Sequence, residues 1–318
     1  MSEPKNLTYE RVDDLPLLLE QLKRMGVQKL LDKHFPTHGN WQGLSLGWIA
    51  SIWLGHILSQ ADHRLSYVQP WAEKRLSTLT SCTGQSVRAL DLSDDRLEAV
   101  LGYLSEDESW HQFEQELGGD LIRVYDLKAE RVRLDSTTAS SYCGVTEDGL
   151  FQWGHSKNKR PDLAQVKIML GTLDPLALPV ATEVLSGEKA DDPLYIPAIK
   201  RVRETLQTPG LLYIGDCKMA ALATRGELAA GEDYYLCPLA STQLATGELE
   251  SYLQPVWSGI QQLTEVEYPY SDGQTKKIAV GYEISVPRST NINGVEVTGR
   301  ERQLVVRSLA AAQAGSKS

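Results

Sequence analysis

Paired cysteines and long apolar runs are both missing from this chain. Its four cysteines (Cys82, Cys143, Cys217, Cys237) are scattered without close pairs, so their spacing supports neither a zinc site nor a disulfide framework. The longest apolar stretch, Leu44 to Leu58, carries His56 and small polar residues. It is too short to span a bilayer and reads as a buried helix. No basic-then-apolar leader opens the sequence, and the cytoplasm is the expected compartment. A glycine-rich phosphate loop and a Gly-Xaa-Ser-Xaa-Gly elbow are both lacking, which sets aside nucleotide kinases and serine hydrolases. Positive charge is in deficit: 32 Lys and Arg against 42 Asp and Glu give a net charge of −10. That argues against nucleic-acid binding through overall charge. It leaves room for a local basic face, and for an acidic site that is negative until a cation binds.

What is present is the composition of a soluble globular protein. The 318 residues are 42% hydrophobic and 23% charged, enough for one large domain or two ordinary ones with a real core. Up to about residue 125 the spacing is helical. Asp14 precedes a stripe of Leu15, Leu18, Leu19, Leu22 and Met25, and reads as its cap. Ser45 opens a helix with Leu46, Ile49, Trp53 and Ile57 on its apolar face. Ser93-Asp94-Asp95 opens another, with acids in the first turn where the helix dipole favours them. Gly118-Gly119 reads as a break. His34 and His38, on a Pro/Gly-containing segment, read as surface residues.

From Arg131 the pattern changes. Strand spacing is expected over 131–137, 163–172 and 176–186, with Asp174-Pro175 turning the last two into a hairpin. A helix (192–206), a strand (211–216), a helix (218–229) and a strand (233–238) follow. Three hairpin-linked strands and then α-β-α-β is the element order of a ribonuclease-H-like α/β fold with a mixed sheet. From residue 240 the chain reads as strand-rich, with Asp272-Gly273 and Asn293-Gly294 as turns. The expected division is a helical domain (1–125), an α/β core (126–239) and a β-rich segment (240–318).

Two aspartates close the apolar runs of that core. Asp135 ends Arg131-Val132-Arg133-Leu134, and Asp216 ends Leu211-Leu212-Tyr213-Ile214-Gly215. Carboxylates at the carboxyl ends of strands in an open α/β sheet stand where such sheets place their chemistry. Asp135 alone is good turn chemistry, and Asp216 alone is a helix N-cap. As a pair on strand ends, they suit shared divalent cations and in-line phosphoryl transfer. Lys157, Lys159 and Arg160 form the most basic short stretch near them. That stretch reads either as a solvated loop or as a contact for phosphates.

Four segments carry a family resemblance: Leu134-Asp135-Ser136-Thr137-Thr138, Gly154-His155-Ser156-Lys157-Asn158-Lys159-Arg160-Pro161-Asp162-Leu163, Pro179 to Gly187, and Tyr213-Ile214-Gly215-Asp216-Cys217-Lys218-Met219. They resemble the DDE transposases of bacterial insertion sequences, in the group whose catalytic domain is interrupted by a β-strand insertion. The helical region, with His38-Gly39-Asn40-Trp41 and Asp62-His63-Arg64-Leu65, is similar to the amino-terminal domain of such transposases. The resemblance implies DNA transposition by hydrolytic nicking and strand transfer at transposon ends. It implies Mg2+ or Mn2+ held by Asp135 and Asp216, backbone contacts from Lys157, Lys159 and Arg160, and a homodimer around double-stranded DNA ends. The family's Ala-Asp-Arg-Gly-Met pattern is here Gly215-Asp216-Cys217-Lys218-Met219, with Lys218 placed to take over the positive charge. The family's third acid, on a helix beyond the insertion, has no counterpart after Asp216. Glu283, Glu296 and Glu301 have the wrong neighbours. The chain is therefore expected to be truncated at its carboxyl end, inactive alone, and left with an apolar sheet face open. The alternative is a non-catalytic chain that binds DNA or a full-length partner.

Overall fold

The computed structural model describes residues 9–156, 159–269, 273–310 and 312. The chain divides into two compact units. One is Met1–Ala129 with Leu178–Ala181 and Arg201–Gln207; the other is Glu130–Ala177 with Thr182–Lys200 and Thr208–Ser318. Among the described residues no helix is long and apolar enough to cross a membrane.

The first unit is helical: α1 (Leu15–Arg24), α2 (Val27–His34), α3 (Leu46–Gln60), α4 (Val68–Glu73), α5 (Leu76–Thr83), α6 (Asp94–Leu104) and α7 (Asp107–Val124). Leu15, Leu19 and Leu22 of α1 recur at helical spacing, so they fall on one stripe. They share a core with Leu46, Ile49 and Ile52 of α3, Leu79 of α5, Leu97 of α6 and Phe113 of α7. Ser45 and Ser93 cap as their sequences predict, accepting from the backbone N–H of Trp48 at 3.4 Å and of Arg96 at 3.3 Å. Asp14 does not cap. Its own backbone is helical (φ −88°, ψ −2°), which turns the carboxylate away from the first-turn donors, and Oδ1 accepts from the Ser59 hydroxyl at 2.6 Å instead.

Two local readings change. Gly118-Gly119 lies inside α7 rather than breaking it. A Cβ at Gly118 would stand 2.9 Å from Thr205 Cγ2, so the glycine marks close packing within the unit. His34 is not a surface residue: its side chain is 10% exposed, with Nε2 2.7 Å from Glu116 Oε2. Asp32 gave no signal in the sequence, yet it anchors the start of α3. Its Oδ1 accepts from Gly47 N–H at 2.7 Å and its Oδ2 from Ser45 Oγ at 2.8 Å. Asp32→Ala frees both donors at a helix start and is expected to lower stability by about 1–2 kcal/mol. Urea unfolding monitored at 222 nm (roughly the helix band) would read this, and an unchanged midpoint would remove the anchoring role.

The second unit is mixed α/β. Its five-stranded sheet has β1 (Arg131–Ser141), β2 (Ala164–Leu173), β3 (Leu178–Ser186), β4 (Leu212–Ile214) and β5 (Tyr234–Leu236) in the order β3-β2-β1-β4-β5. β1 runs antiparallel to β2 and parallel to β4, and β4 runs parallel to β5. The four-residue turn from Asp174 links β2 to β3. α8 (Tyr195–Leu206) leads to β4, and α9 (Leu222–Ala230) leads to β5. β1 alternates strictly: Val132, Leu134, Ser136 and Thr138 are buried, while Arg131, Arg133, Asp135 and Thr137 face out. On that outer face lie Leu212 and Ile214 of β4, paired with Tyr234 and Leu236 of β5, which are 66% and 50% exposed. The sheet thus leaves apolar side chains open on the face that carries Asp135.

Beyond β5 the strand-rich reading needs one correction. Glu248–Trp257 is a helix, α10. Leu249, Tyr252, Leu253 and Val256 recur at helical spacing, and Pro255, inside the helix, obscures the pattern. After α10 come β6 (Thr264–Pro269), β7 (Thr275–Ile292) and β8 (Val295–Ser308), forming a second, antiparallel sheet. Asn293 and Gly294 join β7 to β8 with φ of 52° and 85°, the left-handed pair that a tight hairpin turn requires. Asp272 lies outside the described residues.

Candidate functional site

The site begins with the β1–β4 register. Arg131, Val132 and Arg133 pair with Leu212, Tyr213 and Ile214. Carried on by two positions, this register sets Asp216 opposite Asp135. Asp216 itself lies two residues past Ile214, the last residue of β4. Gly215 N–H still donates to Leu236 O at 3.2 Å, which holds the strand path on the β5 side up to the residue before Asp216. Asp135 lies inside β1 rather than in a turn. Asp216 does not cap α9, whose N-cap residue is Ala221; residues 217–220 form an intervening turn.

Each carboxylate is held by one oxygen. Asp135 Oδ1 accepts from Ser136 N–H at 2.8 Å. Asp216 Oδ1 accepts from the Tyr195 hydroxyl at 2.6 Å and from Lys218 N–H at 2.8 Å. The Oδ2 atoms of both have no hydrogen-bond donor among the described residues. Two ionisable carboxyls, each with an oxygen to spare, form a hard donor set suited to Mg2+ or Mn2+ as part of an oxygen shell. No group of three or more His, Cys, Asp or Glu placed to hold a metal occurs among the described residues.

Tyr195, at the head of α8, gave no signal in the sequence. Burial, the hydrogen bond to Asp216, and the charges of Asp216, Asp135 and Asp191 together push its phenol far above the ordinary tyrosine value. It therefore stays a donor. Burial raises the Cys237 thiol to about 11, against the pull of Arg225 and with the help of Glu301, Asp216 and Cys217. The Lys218 ammonium stands 3.6 Å from Asp192 Oδ1. Also unforeseen is a buried pair, Lys167 of β2 and Asp191, at 2.5 Å.

The basic loop hangs from β2. Gln165 exchanges two backbone hydrogen bonds with Gln152, each of 3.0 Å. Its buried amide donates to His155 O at 3.0 Å and Gly187 O at 3.2 Å. Gln165 pairs with Ser140, five residues beyond Asp135 on β1, roughly 16 Å along the strand. Lys157 lies outside the described residues. Lys159 has a left-handed backbone (φ 58°), and its ammonium has no partner among the described residues. Arg160 is half-exposed and already engaged, with Nε 2.8 Å and Nη2 2.7 Å from the two oxygens of Asp162.

Glu301 is spent elsewhere. It accepts from Arg225 of α9, from the Tyr235 hydroxyl at 2.6 Å and from Arg288 Nε at 2.9 Å, with its side chain 9% exposed.

No known family's profile matches the chain, and no curated protein matches it. Among solved structures it is similar to the piggyBac transposase synaptic complex with hairpin DNA. There the identity is 11% and the TM-score 0.34, over 84% of this chain and 58% of that one. It is also similar to the Mos1 transposase paired-end complex with left transposon end, at 11% identity and a TM-score of 0.26, over 79% of this chain and 84% of that one. A third is the Mos1 mariner paired end complex with Mn, at 14% identity and a TM-score of 0.25, over 59% and 65%. These neighbours are transposase assemblies. At such scores the likeness stands beside the chemistry of the site without bearing on it.

Proposed function

We propose that this chain acts on DNA as a DDE-type transposase, with Asp135 and Asp216 as the acids of its catalytic centre. What supports the reading is that Asp135 lies on β1 and Asp216 follows two residues after β4, the parallel neighbour of β1, each with a carboxylate oxygen to spare. The order β3-β2-β1-β4-β5, with the last two strands reached through helices, supports a ribonuclease-H-like core. The hard oxygen donors fit Mg2+ or Mn2+, which when bound activates a water or 3′-hydroxyl and stabilises charge on the attacked phosphate. The chain's own part is to hold that centre. Asp135 is set by the β1–β2 ladder, and Asp216 by Tyr195 and the Lys218 N–H. Double-stranded transposon ends are the substrate and, as the family resemblance implies, a homodimer holds two of them.

Lys159 and Arg160, with Lys157, contact phosphates on the way to the acids. Alanine at Lys159 and Arg160 is expected to weaken binding to any duplex. It should also flatten the salt dependence by roughly 0.9 in log–log slope for each phosphate that is no longer neutralised. Fluorescence anisotropy across a salt series reads this, and an unchanged slope would return the segment to a solvated loop.

A second reading, binding without cutting, is favoured by Glu301, whose two oxygens are taken up by two arginines and a tyrosine. Incubating the purified chain with supercoiled plasmid and Mn2+ separates the readings. Nicking abolished by Asp135→Ala supports the catalytic centre. Cation-dependent DNA binding without nicking supports the second reading. DNA binding that ignores both the cation and the acids would sink the first.

A further inference from the structure

We infer that Tyr195 is the positioning residue for the cation-facing carboxylate of Asp216, an inference that rests on reading Asp135 and Asp216 as a cation-holding pair. Asp216 lies just past the end of β4, where no strand ladder fixes it. A carboxylate there can turn about two side-chain bonds, and two donors on one oxygen remove that freedom. The Tyr195 hydroxyl and the Lys218 N–H both point at Oδ1, at 2.6 Å and 2.8 Å. Oδ2 is left without a hydrogen-bond donor among the described residues. The tyrosine is itself held firmly, with 1% of its surface exposed at the head of α8.

The neighbouring backbone is shaped around this ring. A Cβ on Gly215 would stand 3.3 Å from Tyr195 Cε1 and 2.8 Å from Met219 Sδ. With no side chain at position 215, the ring can lie against the strand end and reach across to the next residue. A buried tyrosine hydroxyl needs an acceptor in any protein. That bland role predicts a stability effect and nothing more, whereas a positioning role predicts an effect on cation affinity. Groups that orient metal ligands from behind typically account for about 10–100-fold in affinity.

The test is a Tb3+ and Mn2+ titration of the full chain. Tyrosine-sensitised Tb3+ luminescence reports proximity, and Mn2+ paramagnetic resonance reports affinity. Tyr195→Phe keeps the ring and removes the hydroxyl. Mn2+ affinity is expected to fall about 10–100-fold, with cation-free thermal unfolding close to wild type. Gly215→Ala, which crowds the ring without touching the hydroxyl, is expected to lower affinity in the same direction. It serves as the second variant if Tyr195→Phe folds poorly by circular dichroism. Unchanged affinity in both variants, while Asp135→Ala and Asp216→Ala abolish binding, would overturn the positioning role and leave the pair intact. Unchanged affinity in the two aspartate variants would overturn the pair itself, and the inference with it.

Discussion

Alanine at Asp135 is expected to lower Mn2+ affinity by at least about 100-fold, beyond the 10–100-fold that loss of a supporting group costs. The same is expected at Asp216. Each carboxylate supplies one unit of negative charge and one oxygen free of hydrogen bonds. Removing either leaves a single ligand, too few to strip a hydrated divalent ion of its water. Asp135→Asn is the sharper test, because it keeps the volume and the acceptor for Ser136 N–H while removing the charge. Isothermal titration with Mn2+ reads the outcome. Wild-type affinity in Asp135→Asn would show that the cation, if bound, is held elsewhere. Any metal-dependent nicking should vanish with the same variants.

The largest stability effect is expected at Glu301. Its carboxylate faces the Arg225 and Arg288 guanidinium groups and the Tyr235 hydroxyl, so it ties α9 and β5 of the five-stranded sheet's unit to β7 and β8. Arg225 is 11% exposed and Glu301 9%. Glu301→Leu leaves two guanidinium groups facing apolar surface without a counter-charge. Breaking one partner of a buried ion pair costs about 3–5 kcal/mol. Urea unfolding should show a loss of that order, and a loss below about 1 kcal/mol would class the cluster with weak surface pairs. The pH dependence carries a sign. Burial alone would raise the Glu301 carboxyl, but the hydrogen bonds from Tyr235 and Arg288 and the charges of Arg225 and Arg288 outweigh it and hold it below the ordinary glutamate value. A folded value below the unfolded one means that this stabilisation is fully present above about pH 4.3. It fades as acid protonates the folded carboxylate. Wild type should therefore lose stability faster than Glu301→Gln as pH falls below about 4.3.

The strands were legible where they obey period two, as β1 does, and where turns use Asp-Pro and Asn-Gly. The expected strand 163–172 is Ala164–Leu173, and the expected helix 192–206 is Tyr195–Leu206 after a short 3-10 turn. The first strand is longer than its pattern predicts, Arg131–Ser141 against 131–137, since Thr137 to Ser141 has turn chemistry that only the ladder with β2 overrides. α10 stays hidden in the sequence because a proline outweighs an intact helical stripe. Asp135 and Asp216 stand out because each ends an apolar run. Tyr195, Lys167 and Gln165 cannot, because their roles come from partners 21, 24 and 22 positions away. No local pattern encodes contacts of that kind.

The two acids are unequal in stiffness. Asp135 lies within a strand laddered to β2 from Val132 to Ser141, while Asp216 opens an irregular stretch that runs to Ala221. One acid is part of the ladder, and the other is fixed by hydrogen bonds alone. The irregular side here is the segment from Gly215 to Ala221. It is tied at Asp216 by the Tyr195 hydroxyl and the Lys218 N–H, and at its other end by the start of α9.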